Sequence, residues 1–189
     1  MTNRILTPAN QLTILRMVFI PIFVILLVYS QLGWAFFIFL LAGVTDGLDG
    51  LMARWLQQKT SLGAYLDPIA DKLLLTTSFV VLSIRNLGLP HVVPLWLTIL
   101  VISRDVILIS SALVIIITTG HRTFRPSIYG KMTTCLQILT IVTVLYLNYR
   151  DTGSSAFFWL CVVTGAITVI SGLHYIYQGR KFVSDVSSS

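Results

Sequence analysis

Four aspartates, Asp46, Asp49, Asp67 and Asp71, lie close together in a stretch otherwise apolar enough to cross a bilayer, with Gly50, Ala53 and Gly63 between them. Carboxylates are costly in hydrocarbon and are kept there when they serve a site, so a cluster of them needs cations. Residues three or four apart share one side of a helix, the spacing of Asp46 with Asp49 and of Asp67 with Asp71. Two such pairs make an all-oxygen donor set for two hard divalent ions, and Mg2+ or Mn2+ suits carboxylates that share the metal with a phosphate. Paired metals about 3.5–4 Å apart are a recurring device for displacement at phosphorus. The small residues leave the backbone open to a ligand. Taken alone, they would equally serve close packing between membrane helices.

The elements that must position this cluster are apolar helices. The 189 residues have a mean hydropathy of +0.87, 56% hydrophobic residues and 11% charged ones, against roughly 25% charged in an average soluble domain. The apolar runs far exceed the length of barrel strands, so the fold class is all-α, an integral membrane bundle of six transmembrane helices. The spans are expected at about 11–30, 34–55, 63–85, 92–119, 128–148 and 155–177. Residues 1–182 form one domain, and the serine-rich 183–189 reads as a disordered tail. Arg4 precedes an apolar run with no small-residue cleavage site after it, so that run reads as a retained first span. The formal charge of +6 would suggest nucleic acid in a soluble protein. Here the basic residues flank apolar runs, where they set topology and meet anionic lipid. Arg4, Arg54, Lys59, Arg122, Arg125, Lys131, Arg180 and Lys181 collect on one side, Arg85 and Arg150 on the other. By the positive-inside rule both termini are cytoplasmic, and the aspartate cluster lies at the cytoplasmic side.

Read from Asp46, the sequence runs D-G-L-D-G-L-M-A-R and, after residues 55–62, G-A-Y-L-D-P-I-A-D. This resembles, at every fixed position, the D-x-x-D-G-x-x-A-R-x8-G-x3-D-x3-D signature of the CDP-alcohol phosphotransferases, whose six-span fold agrees with the layout above. The resemblance implies that Asp46, Asp49, Asp67 and Asp71 bind two metal ions and that Asp71 also acts as general base on the attacking hydroxyl. It places Asp49, Gly50, Ala53, Arg54 and Gly63 around the CDP moiety. The implied reaction is attack by an alcohol on the lipid-side phosphorus of CDP-diacylglycerol, with CMP leaving. Membrane lipids and a second copy of the chain, as a homodimer, are the partners it implies, in a bacterial inner or cell membrane.

Other polar residues in apolar sequence are read beside this. Asn10, Thr13 and Arg16 recur at three-residue steps on one stripe of the first span. Snorkelling at the membrane edge would explain them; the resemblance, which includes an Asn and an Arg in that span, favours Asn10 and Arg16 lining the acceptor site. Arg104 and Asp105 lie near the middle of span four, and adjacent residues diverge by about 100° on a helix, so different partners are expected for them. Arg104 is assigned to the acceptor's phosphate in preference to a structural ion pair. Lys131, Thr134 and Gln137 repeat the three-step stripe in span five, and Lys131 with Arg125 is placed to hold a phosphorylated acceptor. Cys135 and Cys161 read as buried small hydrophobes, and His91, His121 and His174 as interfacial or packed residues.

The segments N-Q-L-T-I-L-R, I-S-R-D, G-K-M-T-T-C-L-Q and S-G-L-H-Y-I-Y-Q-G-R are most similar to the branch holding phosphatidylglycerophosphate synthases and single-active-site cardiolipin synthases. Size and bulk similarity favour glycerol 3-phosphate as acceptor. Asp105, where glycerophosphate-using relatives commonly have glutamate, and Ser110, Ser111 and Ala112, where they have an arginine, lean towards phosphatidylglycerol as the alternative. A divalent-cation transporter, or a non-catalytic scaffold, would not need Arg54 and Gly63 at fixed offsets from the aspartates.

Overall fold

The computed structural model describes residues 8–55, 61–119 and 128–187, with side chains over 13–45, 69–111 and 128–177. Among the described residues the chain is all helical: α1 (Pro8–Val28), α2 (Leu32–Trp55), α3 (Ser61–Leu82), α4 (Leu95–Thr119), α5 (Ile128–Arg150) and α6 (Ser155–Ser187), with a short 3-10 turn at Arg85–Leu87. The helices fall where hydropathy places them. Among the described residues two segments, Ile128–Arg150 and Ser155–Tyr177, are long and apolar enough to cross a bilayer; Thr13–Val28 within α1 and Leu32–Thr45 within α2 are shorter apolar stretches. The expectation of six helices therefore holds, and spanning length is met by these two among the described residues. α6 continues to Ser187, through most of the stretch expected as a disordered tail. That stretch has no proline to stop a helix already nucleated by the preceding apolar turns.

Helix ends follow local chemistry. Ser30 and Asp151 adopt left-handed backbone, with φ of 57° and 49°. The amides of Gln31 and Thr152 then turn back to the Leu26 and Leu147 carbonyls at 2.8 and 3.2 Å, satisfying end groups of α1 and α5 in the Schellman manner.

The chain divides into two compact units. The first comprises residues 1–92 with 141–153. In it α1 packs on α2 and on α3, and Phe19, Phe23 and Leu27 of α1, Ala35, Phe39 and Ala42 of α2 and Phe79 of α3 are buried. The Phe23 and Phe39 rings meet at 5.8 Å, tilted by 47°. Asn148 ties the 3-10 connection to α5, accepting from the His91 backbone N–H and donating to its carbonyl, both at 2.8 Å.

The second unit comprises residues 93–140 with 154–189, and there α4 packs on α6. The buried side of α6 is small or polar: Cys161, Thr164, Gly165, Thr168, Ser171, Gly172 and Tyr175. Its exposed side carries Phe158, Trp159, Val163, Val169, Ile170, Leu173 and Ile176. In water this would be an inverted helix. It is the pattern of a helix whose outer face meets lipid, where association depends on close approach and interhelical hydrogen bonds rather than on hiding apolar surface. Gly165 marks the close approach, since a β-carbon there would stand 2.6 Å from Trp96 Cζ3 of α4. Thr140 and Thr164 supply the hydrogen bond, Oγ1 to Oγ1 at 2.9 Å. Hydroxyls at Ser78, Ser111, Thr133 and Thr168 donate to the carbonyl four residues back, so they are satisfied within their own helices.

Candidate active site

The helical backbone of α2 reaches Trp55 and that of α3 begins at Ser61. Asp46 and Asp49 are therefore one turn apart on α2, and Asp67 and Asp71 one turn apart on α3. Gly50, Ala53 and Arg54 follow on α2 and Gly63 opens α3. Of this set, Asp71 has a described side chain; Asp46, Asp49, Ala53, Arg54 and Asp67 are described by backbone alone, as is Asn10, and Arg125 lies outside the described residues.

Asp71 is met by Arg16. The Arg16 guanidinium on α1 is fully buried and donates through Nη1 to Asp71 Oδ1, whose side chain remains 41% exposed. The sequence placed Arg16 on a site-facing stripe but gave it no carboxylate partner. The pair supplies one reason why a charge survives on each helix: in apolar surroundings each ion compensates the other. Among the described residues no group of three or more His, Cys, Asp or Glu is placed to hold a metal ion. The donor chemistry nevertheless fits one: four carboxylates in two helix-spaced pairs are hard oxygen ligands of the type Mg2+ or Mn2+ prefers. The exposure of Asp71 also leaves that carboxylate approachable beside its arginine.

In the second unit, Arg104 and Asp105 of α4 are 4% and 8% exposed and pair with each other, Nη1 to Oδ1 at 2.8 Å. The expectation of different partners is thus corrected. The two side chains leave the helix at different angles, but a guanidinium on a three-carbon stem can curl back to its neighbour, and burial makes that contact valuable. Arg104 Nη2 also donates to Ser171 Oγ at 3.2 Å, and the guanidinium carbon lies 5.8 Å from the centre of the Tyr175 ring. The first turn of α5 closes on this cluster. A β-carbon on Gly130 would stand 2.9 Å from Tyr175 Oη and 3.3 Å from Arg104 Nη2. Lys131 follows at the exposed start of the helix. Thr134 donates to the Gly130 carbonyl at 3.2 Å, while Gln137 is fully buried.

Ser171 and Tyr175 were not singled out from sequence. Their signal was there: they lie four residues apart, on the one face of α6 that is small and polar. Cys161 is buried as expected, whereas Cys135 is exposed, because it lies beside the polar stripe of α5 and not on it. His174 packs on Tyr129 with ring centres 4.9 Å apart, and His91 engages Asn148 through its backbone, so neither imidazole is gathered into a ligand set. His121 lies outside the described residues.

Comparison with known proteins bears on the same residues. The chain is 34% identical over 183 residues to the CDP-diacylglycerol–glycerol-3-phosphate 3-phosphatidyltransferase of Haemophilus influenzae, covering 92% of this chain and 94% of that one. It is 35% identical over 181 residues to the protein of that name from Pseudomonas fluorescens, covering 88% and 87%. It is also 31% identical over 196 residues to the cardiolipin synthase (CMP-forming) of Rattus norvegicus, covering 94% of this chain. The chain spans 63% of that relative's length. The family model described as CDP-alcohol phosphatidyltransferase matches residues 6–170, which include α1 with Arg16, the complete aspartate signature and the Arg104–Asp105 pair. The chain belongs to the CDP-alcohol phosphatidyltransferase family.

Proposed function

We propose that this protein transfers the phosphatidyl group of CDP-diacylglycerol to an alcohol acceptor, releasing CMP. The observation that carries the reading is the uninterrupted signature across α2 and α3, whose last carboxylate, Asp71, is held by a buried arginine from α1. Asp71 accepts the proton of the attacking hydroxyl. The freed oxygen forms a bond to the lipid-side phosphorus, and the bond from that phosphorus to the bridging oxygen of CMP breaks, its electron pair leaving with CMP. Asp46, Asp49, Asp67 and Asp71 would hold two Mg2+ or Mn2+ ions, which supply charge stabilisation at the diphosphate when bound. Gly50, Ala53, Arg54 and Gly63 surround the CDP moiety. Arg16 orients the Asp71 carboxylate, a more specific task than lining the acceptor pocket. Arg104, Lys131, Arg125 and Asn10 face the acceptor, with the cations drawn to its phosphate.

Six spans with both termini in the cytoplasm would put this site at the cytoplasmic membrane surface, where a soluble phosphorylated alcohol can reach it. Glycerol 3-phosphate is the preferred acceptor, giving phosphatidylglycerophosphate. A specific observation favours a second reading, cardiolipin synthesis from phosphatidylglycerol: Asp105 follows Arg104, and the likeness to the rat cardiolipin synthase extends over 94% of the chain. Family membership leaves the transporter and scaffold readings without support. The deciding experiment offers purified protein CDP-diacylglycerol with glycerol 3-phosphate or phosphatidylglycerol in parallel, measuring CMP and identifying the lipid product by mass. Release of CMP with neither acceptor would refute the proposal; cardiolipin alone would select the second reading.

A further inference from the structure

The first half of α5 buries polar side chains, Thr133, Gln137 and Thr140 being fully covered, whereas farther along Asn148, 3% exposed, lies among the buried apolar Ile141, Val144 and Leu145. In hydrocarbon such groups must find partners inside the protein. The threonines and the asparagine do. Thr133 donates to the Tyr129 carbonyl at 2.8 Å, Thr140 to the Leu136 carbonyl at 2.8 Å, and Asn148 closes its pair of bonds with the His91 backbone. Gln137 does not: neither its Nε2 nor its Oε1 has a hydrogen-bond partner among the described residues. Each buried polar group left open in this way keeps its full desolvation penalty. The cost is recovered if a ligand supplies the partner.

A primary amide donates and accepts at once, and its natural complement is a hydroxyl, which does both. Lys131 lies six residues earlier on α5, about 9 Å along the axis at ~1.5 Å per residue. Beside it, Gly130 faces Arg104 Nη2 and Tyr175 Oη. Because helical side chains lean towards the N-terminus, the amide of residue 137 reaches back towards that cationic turn. Cations at one end and an open amide about a turn and a half away match a phosphorylated polyol.

Resting on the function proposed above, we propose that Gln137 binds the non-reacting secondary hydroxyl of a glyceryl phosphate acceptor. Free glycerol 3-phosphate and the headgroup of phosphatidylglycerol carry the same phosphate and hydroxyl, so both are tested as sources. Gln137→Leu keeps the volume and removes both polar atoms. In purified full-length protein it should lower kcat/KM for the acceptor about tenfold, the loss of one hydrogen bond of ~1.4 kcal/mol. KM for CDP-diacylglycerol should not change. The effect should appear with whichever of the two acceptors the protein uses, and that acceptor identifies the source. It should vanish with the matching deoxy acceptor, 3-hydroxypropyl phosphate or phosphatidyl-1,3-propanediol, which lack the secondary hydroxyl. A variant that matches the unaltered protein with the glyceryl acceptor, or loses as much with the deoxy one, overturns the assignment while leaving the activity standing. So does equal use of glyceryl and deoxy acceptors by the unaltered protein, a comparison that needs no variant to fold. No CMP from the unaltered protein with any acceptor would instead overturn the activity and this assignment together.

Discussion

Arg16 and Asp71, 55 residues apart in sequence, join α1 to α3 through a guanidinium with no exposed surface and a carboxylate that is 41% exposed. The asymmetry fits a working carboxylate. The arginine is packed away on its helix, while part of the Asp71 side chain stays open to whatever the site must bind.

The pair makes a measurable contribution to stability. Arg16→Leu should destabilise by about 1–2 kcal/mol, below the 3–5 kcal/mol of a fully buried pair because solvent screens the exposed side of Asp71. Asp71→Asn should cost at least as much, since the amide still accepts from the guanidinium but the fully buried Arg16 loses this counter-charge. In the double variant the two losses should fall short of their sum. Thermal unfolding in detergent reads all three, and strict additivity would mean that the contact is energetically idle.

Chemistry separates Asp71 from its neighbours more sharply than stability does. Replacing it by asparagine should reduce turnover on the order of 10²–10⁴-fold, the range general-base removal costs. Binding of CDP-diacylglycerol should fall much less, because three carboxylates of the signature remain. Steady-state CMP release against equilibrium binding of the nucleotide-lipid makes the distinction. Parallel loss of both would reassign Asp71 to ligand binding alone.

Metal dependence follows from the donor set. Chelation with EDTA should abolish CMP release, and Mg2+ or Mn2+ should restore it, whereas Zn2+, which favours nitrogen and sulfur ligands, should restore it poorly. Asp46→Asn and Asp67→Asn should each raise the metal concentration needed for half-maximal rate. An activity indifferent to chelator would detach the aspartates from metals.

The helices and the aspartate signature were legible in the sequence for separate reasons. Apolar runs long enough to matter to a bilayer are one-dimensional features, and so is a spacing of three or four between acids. Arg16–Asp71 was not legible, because it depends on which side of α1 meets α3, and nothing local encodes that. Arg104–Asp105 was misread for the opposite reason. A rule about helix geometry fixes where a side chain starts, but a long flexible arginine chooses its partner by burial. The contributions of Ser171 and Tyr175 were hidden because serine and tyrosine on a membrane helix read as ordinary packing until the partner arginine is in place.

Breaking the Arg104–Asp105 pair should be costly, as both residues are buried. Arg104→Met leaves Asp105 without this counter-charge and should destabilise by about 3–5 kcal/mol, whereas Arg104→Met with Asp105→Leu should recover most of that loss. Function adds a second readout. If Arg104 also meets the acceptor's phosphate, the double variant, though stable, should show a raised KM for the acceptor with KM for CDP-diacylglycerol unchanged. A stable double variant with ordinary acceptor kinetics would confine Arg104 to structure.

The approach of α5 to Tyr175 sets up a change of sign. Alanine in place of a helical glycine ordinarily stabilises, by up to about 1 kcal/mol in a helix interior and less in a first turn such as that of Gly130. At Gly130 the added β-carbon would stand 2.9 Å from Tyr175 Oη and 3.3 Å from Arg104 Nη2, so the rigid phenol must swing or the helix must shift, at about 1–3 kcal/mol. Gly130→Ala should therefore lower the unfolding temperature. Tyr175→Phe removes the oxygen that stands in the way. In that background Gly130→Ala should be neutral or stabilising. Unfolding curves for the four combinations test the geometry directly: destabilisation by Gly130→Ala that persists with phenylalanine at 175 would place the obstruction at Arg104 and make the guanidinium of α4, not the phenol of α6, the limit on how closely the start of α5 packs.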